Sequence, residues 1–355
     1  MKAARFHGPG DIRIDDIPEP RVGPGQVKID VDWCGICGTD LHEYLEGPIF
    51  IPPKGSPHPL TGEEMPVVMG HEFAGVVSAV GSGVTNVREG DRVAVEPYDV
   101  CGECSACRIG RYNICRKLGF VGLDGQQGGF AEQCVVDARW AHPLGDIPTD
   151  LGALVEPLAV GYHAVRLSGI KPGDTAAVFG AGPIGLVTTA ALKAAGAATV
   201  VVVEPAAVRK AKAPGAGADE VLDPSVVDVP DAIRDLTGGA GADVAFECAG
   251  IDAVLGSAVA SVRPGGTVVN VAIWGHQARF AVNDLVFSEI NLIGTLAYCG
   301  DHPDTIALLR DKKVDAAQFI TGRIALDDLV SKGFRELIDN KEENVKILVS
   351  PRGLA

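Results

Sequence analysis

Aromatic residues are scarce, only 5% of the 355-residue chain, and basic residues are outnumbered, with 31 Lys and Arg against 46 Asp and Glu. The first shortage removes stacking platforms for nucleobases. The second leaves a net charge of −15, which opposes binding to a phosphate backbone, so no nucleic-acid partner is expected. No run of 18 apolar residues occurs, so no membrane span is expected either. The opening stretch MKAARFHGPGDIRID has no apolar signal core, and the expectation is a cytoplasmic chain in reducing surroundings. No repeat period organises the 45 glycines and 23 prolines, which excludes collagen and low-complexity linkers. With 46% hydrophobic and 22% charged residues the chain is ordinary globular material. Its length argues for two domains at roughly 100–200 residues each.

Sulfur is what the chain does have. Nine cysteines are present, an odd number that cannot all pair within one chain, and in a reducing compartment clustered thiols point to metal. Cys101, Cys104, Cys107 and Cys115 form C-x2-C-x2-C-x7-C. Four thiolates at that density close a tetrahedron round Zn²⁺, leaving no open position, so the site reads as structural. An iron–sulfur cluster also accepts four cysteines. Cys34, Cys134, Cys248 and Cys299 have no evident task.

Residues 1–155 carry short alternating apolar runs, such as Gln26–Val31, Gly75–Val80 and Asp91–Val95, divided by turn residues. This predicts a mostly β domain, with a lobe at about 97–116 holding the four cysteines. Glu43–Gly70 contains six prolines and reads as a long functional loop. From residue 156 to 295 the character changes. Strands are predicted at Asp174–Phe179, Thr199–Val203, Asp243–Phe246, Thr267–Val271 and Asn291–Gly294, with helices such as Ile184–Ala195 and Ala253–Val262 between them. That alternation predicts a doubly wound α/β domain with a parallel sheet. Pro214 is expected to stop or kink the helix around Val208–Ala218. Residues 296–355, ending in a strand at Asn344–Val349, form a return segment that could complete either domain.

Gly180, Gly182 and Gly185, with Pro183 and Ile184 between them, spell G-x-G-x-x-G. The motif is weak alone. Its context, after a strand and at the start of a helix, is that of a Rossmann pyrophosphate turn. Gly180 allows the tight turn, Gly182 lets backbone approach the phosphates, and Gly185 permits close packing. Glu204 follows the second strand, 24 residues after Gly180, close to the ~20 expected for the acid that accepts ribose hydroxyls. It would repel a 2′-phosphate, so NAD is favoured over NADP, a preference that Arg209 could weaken. Val271, Ile273, Leu296 and Tyr298 follow later strands at the carboxyl edge, where ligands bind in open sheets.

Three further motifs, read with these, carry a resemblance. They are Cys37–Gly38–Thr39–Asp40–Leu41–His42, Gly70–His71–Glu72 and Val155–Glu156–Pro157–Leu158–Ala159–Val160. Together with the cysteine lobe and the glycine turn, in that order, they make the chain similar over nearly its whole length to the zinc-dependent medium-chain alcohol dehydrogenases. The segments His42–Pro52, His58–Phe73 and Val155–Val165 most resemble the branch of (R,R)-2,3-butanediol dehydrogenases. The resemblance implies a GroES-like catalytic domain beside the Rossmann domain. It implies a catalytic zinc on Cys37 and His71, with Glu156 or Glu72 as third ligand and exchange between them conceivable. Family members with simple alcohol substrates place a second cysteine where this chain has Glu156. A proton relay from substrate through Thr39 and the nicotinamide ribose to His42 is also implied. The expected enzyme carries two zinc ions per subunit and uses NAD to interconvert a vicinal diol and a hydroxyketone, 2,3-butanediol and acetoin, or acetoin and diacetyl. A sorbitol-like polyol dehydrogenase or an L-threonine 3-dehydrogenase is the alternative. A catalytically silent relative is disfavoured, because Cys37, Thr39, His42, His71 and Glu156 are all present. A homodimer or homotetramer is expected from resemblance alone.

Overall fold

The computed structural model describes residues Met1–Gly125 and Gln127–Leu354. The chain divides into two compact units. The first holds Met1–Glu156, His302–Arg310 and the chain from Ala316 onward, and the second holds Pro157–Asp301 and Asp311–Asp315. The crossovers therefore lie at Glu156/Pro157 and Asp301/His302, and most of the return segment joins the first unit.

A seven-stranded sheet dominates the first unit, and its central pair is Gln26–Gly35 with Glu72–Val80. The inward residues of these strands alternate. Val27, Ile29 and Val31 are buried and pack in one core with Phe73, Phe130 and Phe334, as expected for a sheet buried on one face. The last strand, Lys346–Ser350, lies antiparallel to Gln26–Gly35, with Leu348 opposite Gly35. The same Gly35 pairs with Glu72 on the other side. A Cβ on Gly35 would fall 2.2 Å from Glu72 Oε2, so a side chain at this crossing point would displace the Glu72 carboxylate. The proline-rich stretch is not all loop. Its first residues finish the helix Gly38–Glu46 and its end contains the strand Val67–Val68. The carboxylate of Glu43 accepts hydrogen bonds from Ile49 N (2.9 Å) and Ile51 N (3.2 Å), which ties the loop back to the helix.

The second unit is a six-stranded parallel sheet in the order Glu220–Leu222, Thr199–Val203, Thr175–Phe179, Ala242–Glu247, Val262–Asn270, Asn291–Gly294. Chain order reverses direction between Thr175–Phe179 and Ala242–Glu247, the place where open sheets of this kind bind ligands. Pro214 departs from expectation. The helix Ala207–Ala216 runs past it and ends at Gly217, whose φ is +105°. The left-handed glycine, not the proline, is the stop signal.

Candidate active site and metal centres

Cys37 caps the helix Gly38–Glu46, and its N–H donates to Asp40 Oδ2 at 2.9 Å. That bond fixes the thiol at the helix entrance. Glu72 opens the strand Glu72–Val80 and His71 immediately precedes it, and the ligand atoms of Cys37, His71 and Glu72 all lie within 4.8 Å of one another. Asp40 is fully buried, and burial raises its carboxyl to about 6 against the pull of His71. Asp40 Oδ1 and His71 Nδ1 are 3.6 Å apart, both buried and, among the described residues, both without a hydrogen-bond partner. Burial alone would depress His71, but Asp40, Cys37 and Glu156 surround it with negative charge and raise it well above the usual range. A buried imidazole crowded by a thiol and carboxylates is a donor set whose chemistry suits a cation. Asp40 stands where a carboxylate orients a ligating histidine, so these residues fit a zinc ion.

Glu72 has a further partner that sequence reading missed. Lys346 Nζ donates to both of its oxygens at 2.6 Å and to Ile36 O at 3.0 Å. Burial opposes the charge on Lys346, but Glu72 raises its pKa. Nothing local near residue 346 signals this role, whereas Asp40 sits inside the Cys37–His42 motif. Glu156, in the first turn of the helix Val155–Ser168, is buried and acts electrostatically on both His71 and Lys346. It is not one of the three converging donors. Thr39 Oγ1 lies 3.8 Å from Cys37 Sγ. His42 is exposed, one turn further along the same helix face.

The four-cysteine lobe converges as well. Sγ–Sγ separations are 3.4 Å for Cys101 and Cys115, 3.5 Å for Cys104 and Cys107, and 4.0 Å for Cys104 and Cys115. Disulfides need about 2.05 Å, whereas a tetrahedron with Zn–S bonds of about 2.3 Å has edges of about 3.8 Å. Backbone N–H groups of Cys107 and Arg116 bring Cys104 down to about 6, which favours the thiolate that a metal requires.

In the second unit Gly180 adopts φ +102° directly after the strand Thr175–Phe179. Gly182 caps the helix Pro183–Ala194, and Pro183 takes its first position. Among the described residues, nothing beyond its own chain neighbours lies within 4 Å of where a Gly182 Cβ would be, whereas a Gly185 Cβ would fall 1.8 Å from Gly180 O. Gly182 thus leaves an open approach and Gly185 seals the turn on itself. Glu204 is buried, and its carboxylate accepts from Ala181 N (2.8 Å) and Ala206 N (2.9 Å). It is locked to the glycine turn with lone pairs to spare. Arg209 is half-buried in the first turn of the next helix. Val271 N donates to Glu247 O at 2.9 Å. Ile273 and Leu296 are exposed, and Tyr298 is fully buried.

Residues 23–146 match the alcohol dehydrogenase GroES-like domain, and residues 183–311 match the zinc-binding dehydrogenase domain. The chain belongs to the zinc-dependent medium-chain alcohol dehydrogenase family. Within this oxidoreductase family it is 52% identical over 353 residues to an (R,R)-butanediol dehydrogenase of Neisseria gonorrhoeae, covering 99% of both chains. The crystal structure of 2R,3R-butanediol dehydrogenase from Bacillus subtilis superposes with a TM-score of 0.93 at 48% identity, covering 99% of each chain. Human sorbitol dehydrogenase is more distant, at 36% over 326 residues, 90% of this chain and 88% of its own. Among the described residues of this dehydrogenase no helix is long and apolar enough to cross a membrane.

Proposed function

We propose that the protein interconverts a vicinal diol and the corresponding hydroxyketone, 2,3-butanediol and acetoin, with NAD as hydride carrier and two zinc ions per subunit. What carries this reading is the carboxylate-rich set around Cys37 and His71, in a chain similar from end to end to butanediol dehydrogenases. The four-cysteine lobe holds the structural zinc. Cys37 and His71 hold the catalytic one, and Glu156 completes the set. Glu72 is the weaker third ligand, because leaving Lys346 would strand a buried ammonium with only the Ile36 carbonyl and no paired carboxylate.

When bound, zinc supplies the Lewis acidity that makes an alcohol acidic near neutral pH, and the nicotinamide supplies the hydride acceptor. The protein's residues do the rest. Thr39, half-buried beside Cys37, would relay the hydroxyl proton by giving up its own as it accepts one, and exposed His42 would release a proton to solvent. Glu204 accepts the adenosine ribose hydroxyls and disfavours a 2′-phosphate, while the open backbone at Gly182 admits the pyrophosphate. Glu156 offers the second diol hydroxyl an acceptor that a cysteine would not provide.

The test is a panel of (R,R)-, meso- and (S,S)-butanediol, sorbitol and threonine, each with NAD and NADP. The (R,R) diol with NAD is expected to give the highest kcat/KM, and a higher value for sorbitol or threonine would overturn the assignment. Glu156→Cys should shift preference towards ethanol, and an unchanged diol-to-ethanol ratio of kcat/KM would sink the role given to Glu156. A homodimer or homotetramer is part of the same proposal. Val282, Val286 and Phe287 are exposed on the helix that precedes the edge strand Asn291–Gly294 in the chain, a surface that calls for a cover.

A further inference from the structure

Within the second unit a buried cluster of charges serves none of the roles above. It centres on Asp301, which is 1% exposed and lies just past the segment that follows the last sheet strand. Asp301 Oδ2 accepts from Cys299 N at 2.7 Å and from Arg166 Nη2 at 3.2 Å. It also lies 2.7 Å from His163 Nδ1, which donates if the hydrogen sits on that nitrogen. Oδ1 is paired with Arg166 Nε at 2.8 Å. Arg166 Nη2 also donates to Cys299 O at 3.2 Å. One aspartate and one arginine therefore bracket both polar backbone groups of Cys299 and fasten them to the helix Val155–Ser168. Burial opposes ionisation of Asp301, but the bonds from His163 and Cys299 N and the Arg166 charge outweigh it and hold its pKa below the ordinary carboxylate value.

The segment so fastened is unusual in its own right. Ala297 has φ +47°, a left-handed conformation sparsely populated by residues with a Cβ. Such a conformation persists only where the surroundings over-determine it. The start of the segment is tied to the neighbouring strand by Thr295 N donating to Asn270 O at 3.2 Å. Between these two anchors lie Leu296 and Tyr298.

The position of this segment says which end of a dinucleotide it meets. Glu204 marks the adenosine ribose, at the end of the strand Thr199–Val203, on one side of the glycine turn. The remaining half of the dinucleotide must extend to the other side, past Ala242–Glu247 and Val262–Asn270 towards Asn291–Gly294. Three strand spacings of about 4.8 Å separate Thr175–Phe179 from Asn291–Gly294. We propose that Asp301, with His163 and Arg166, is a positioning residue that holds the Thr295–Gly300 segment in shape for the nicotinamide half of the cofactor. This rests on the dehydrogenase reading above. The clamp acts through the backbone it holds and touches no reacting atom.

The test compares binding of NADH with binding of ADP-ribose, which lacks the nicotinamide, to zinc-loaded full-length protein. NADH is followed by its fluorescence and ADP-ribose by calorimetry. Asp301→Asn should weaken NADH by about tenfold, the scale of one charge-assisted hydrogen bond, and leave ADP-ribose affinity unchanged. Arg166→Gln, at a side chain 49% exposed, should move the same ratio in the same direction and decides the matter if Asp301→Asn does not fold. An unchanged ratio, or an equal loss of both ligands, overturns the clamp while leaving the dehydrogenase reading intact. Wild-type protein that binds neither ligand overturns both.

Discussion

Lys346 shows how one side chain decides what another can do. It is buried, grips both oxygens of Glu72, and has no other carboxylate at hydrogen-bond distance among the bonds described. Removing one member of such a pair leaves a charge in low dielectric, which costs more than the pair itself contributes. Lys346→Met should therefore destabilise the protein by about 3–5 kcal/mol, read as a lower urea midpoint. The double variant Glu72→Gln with Lys346→Met should recover most of that loss. Two losses that simply add would mean that the pair does not act as a unit. Asp40 acts in the same way on His71: its buried carboxylate faces a ring nitrogen that has no other partner.

At the level of elements, the turn between Thr175–Phe179 and Pro183–Ala194 separates folding from binding within six residues. Gly185 is required by the fold, because its Cβ would meet the carbonyl of Gly180. Gly182 meets nothing and has an ordinary φ of −70°, so the fold itself does not require it bare. Gly185→Ala should lower both the melting temperature and NADH affinity. Gly182→Ala should keep the melting temperature and lose NADH affinity alone. A fall in melting temperature for Gly182→Ala, measured by differential scanning fluorimetry, would refute this division. The cysteine lobe is a comparable element, with short turns that bring four sulfurs to tetrahedral spacing.

For the molecule as a whole, the parallel sheet ends, among the described residues, in a strand with one unpaired edge, which the helix Val282–Ser288 precedes in the chain. Phe287 is 82% exposed there, with Val282 and Val286 beside it. An open edge and an apolar helix face invite a second copy. Phe287→Glu should leave the far-ultraviolet circular dichroism unchanged and yield a smaller species in sedimentation velocity. An assembly of unaltered size would place the interface elsewhere.

Much of this was legible in the chain itself. The period-2 apolar runs, the strand–helix alternation and the glycine turn are local patterns, and local patterns survive in sequence. The four cysteines are close in sequence, so their spacing alone marks a candidate metal lobe. Element ends were less legible: the helix past Pro214 continued because a left-handed glycine three residues after its tolerated proline sets the stop. The sequence by itself determined the two kinds of domain, the cysteine lobe and the candidate ligands Cys37 and His71. Only the tertiary structure decided that Lys346 occupies Glu72, that Asp40 backs His71, and that Asp301 clamps Cys299 to a distant helix. These depend on strand register and on burial across separations of up to 274 residues. Charge pairing of that kind leaves no periodic trace in a sequence, because Coulomb attraction and desolvation act through space and not along the chain.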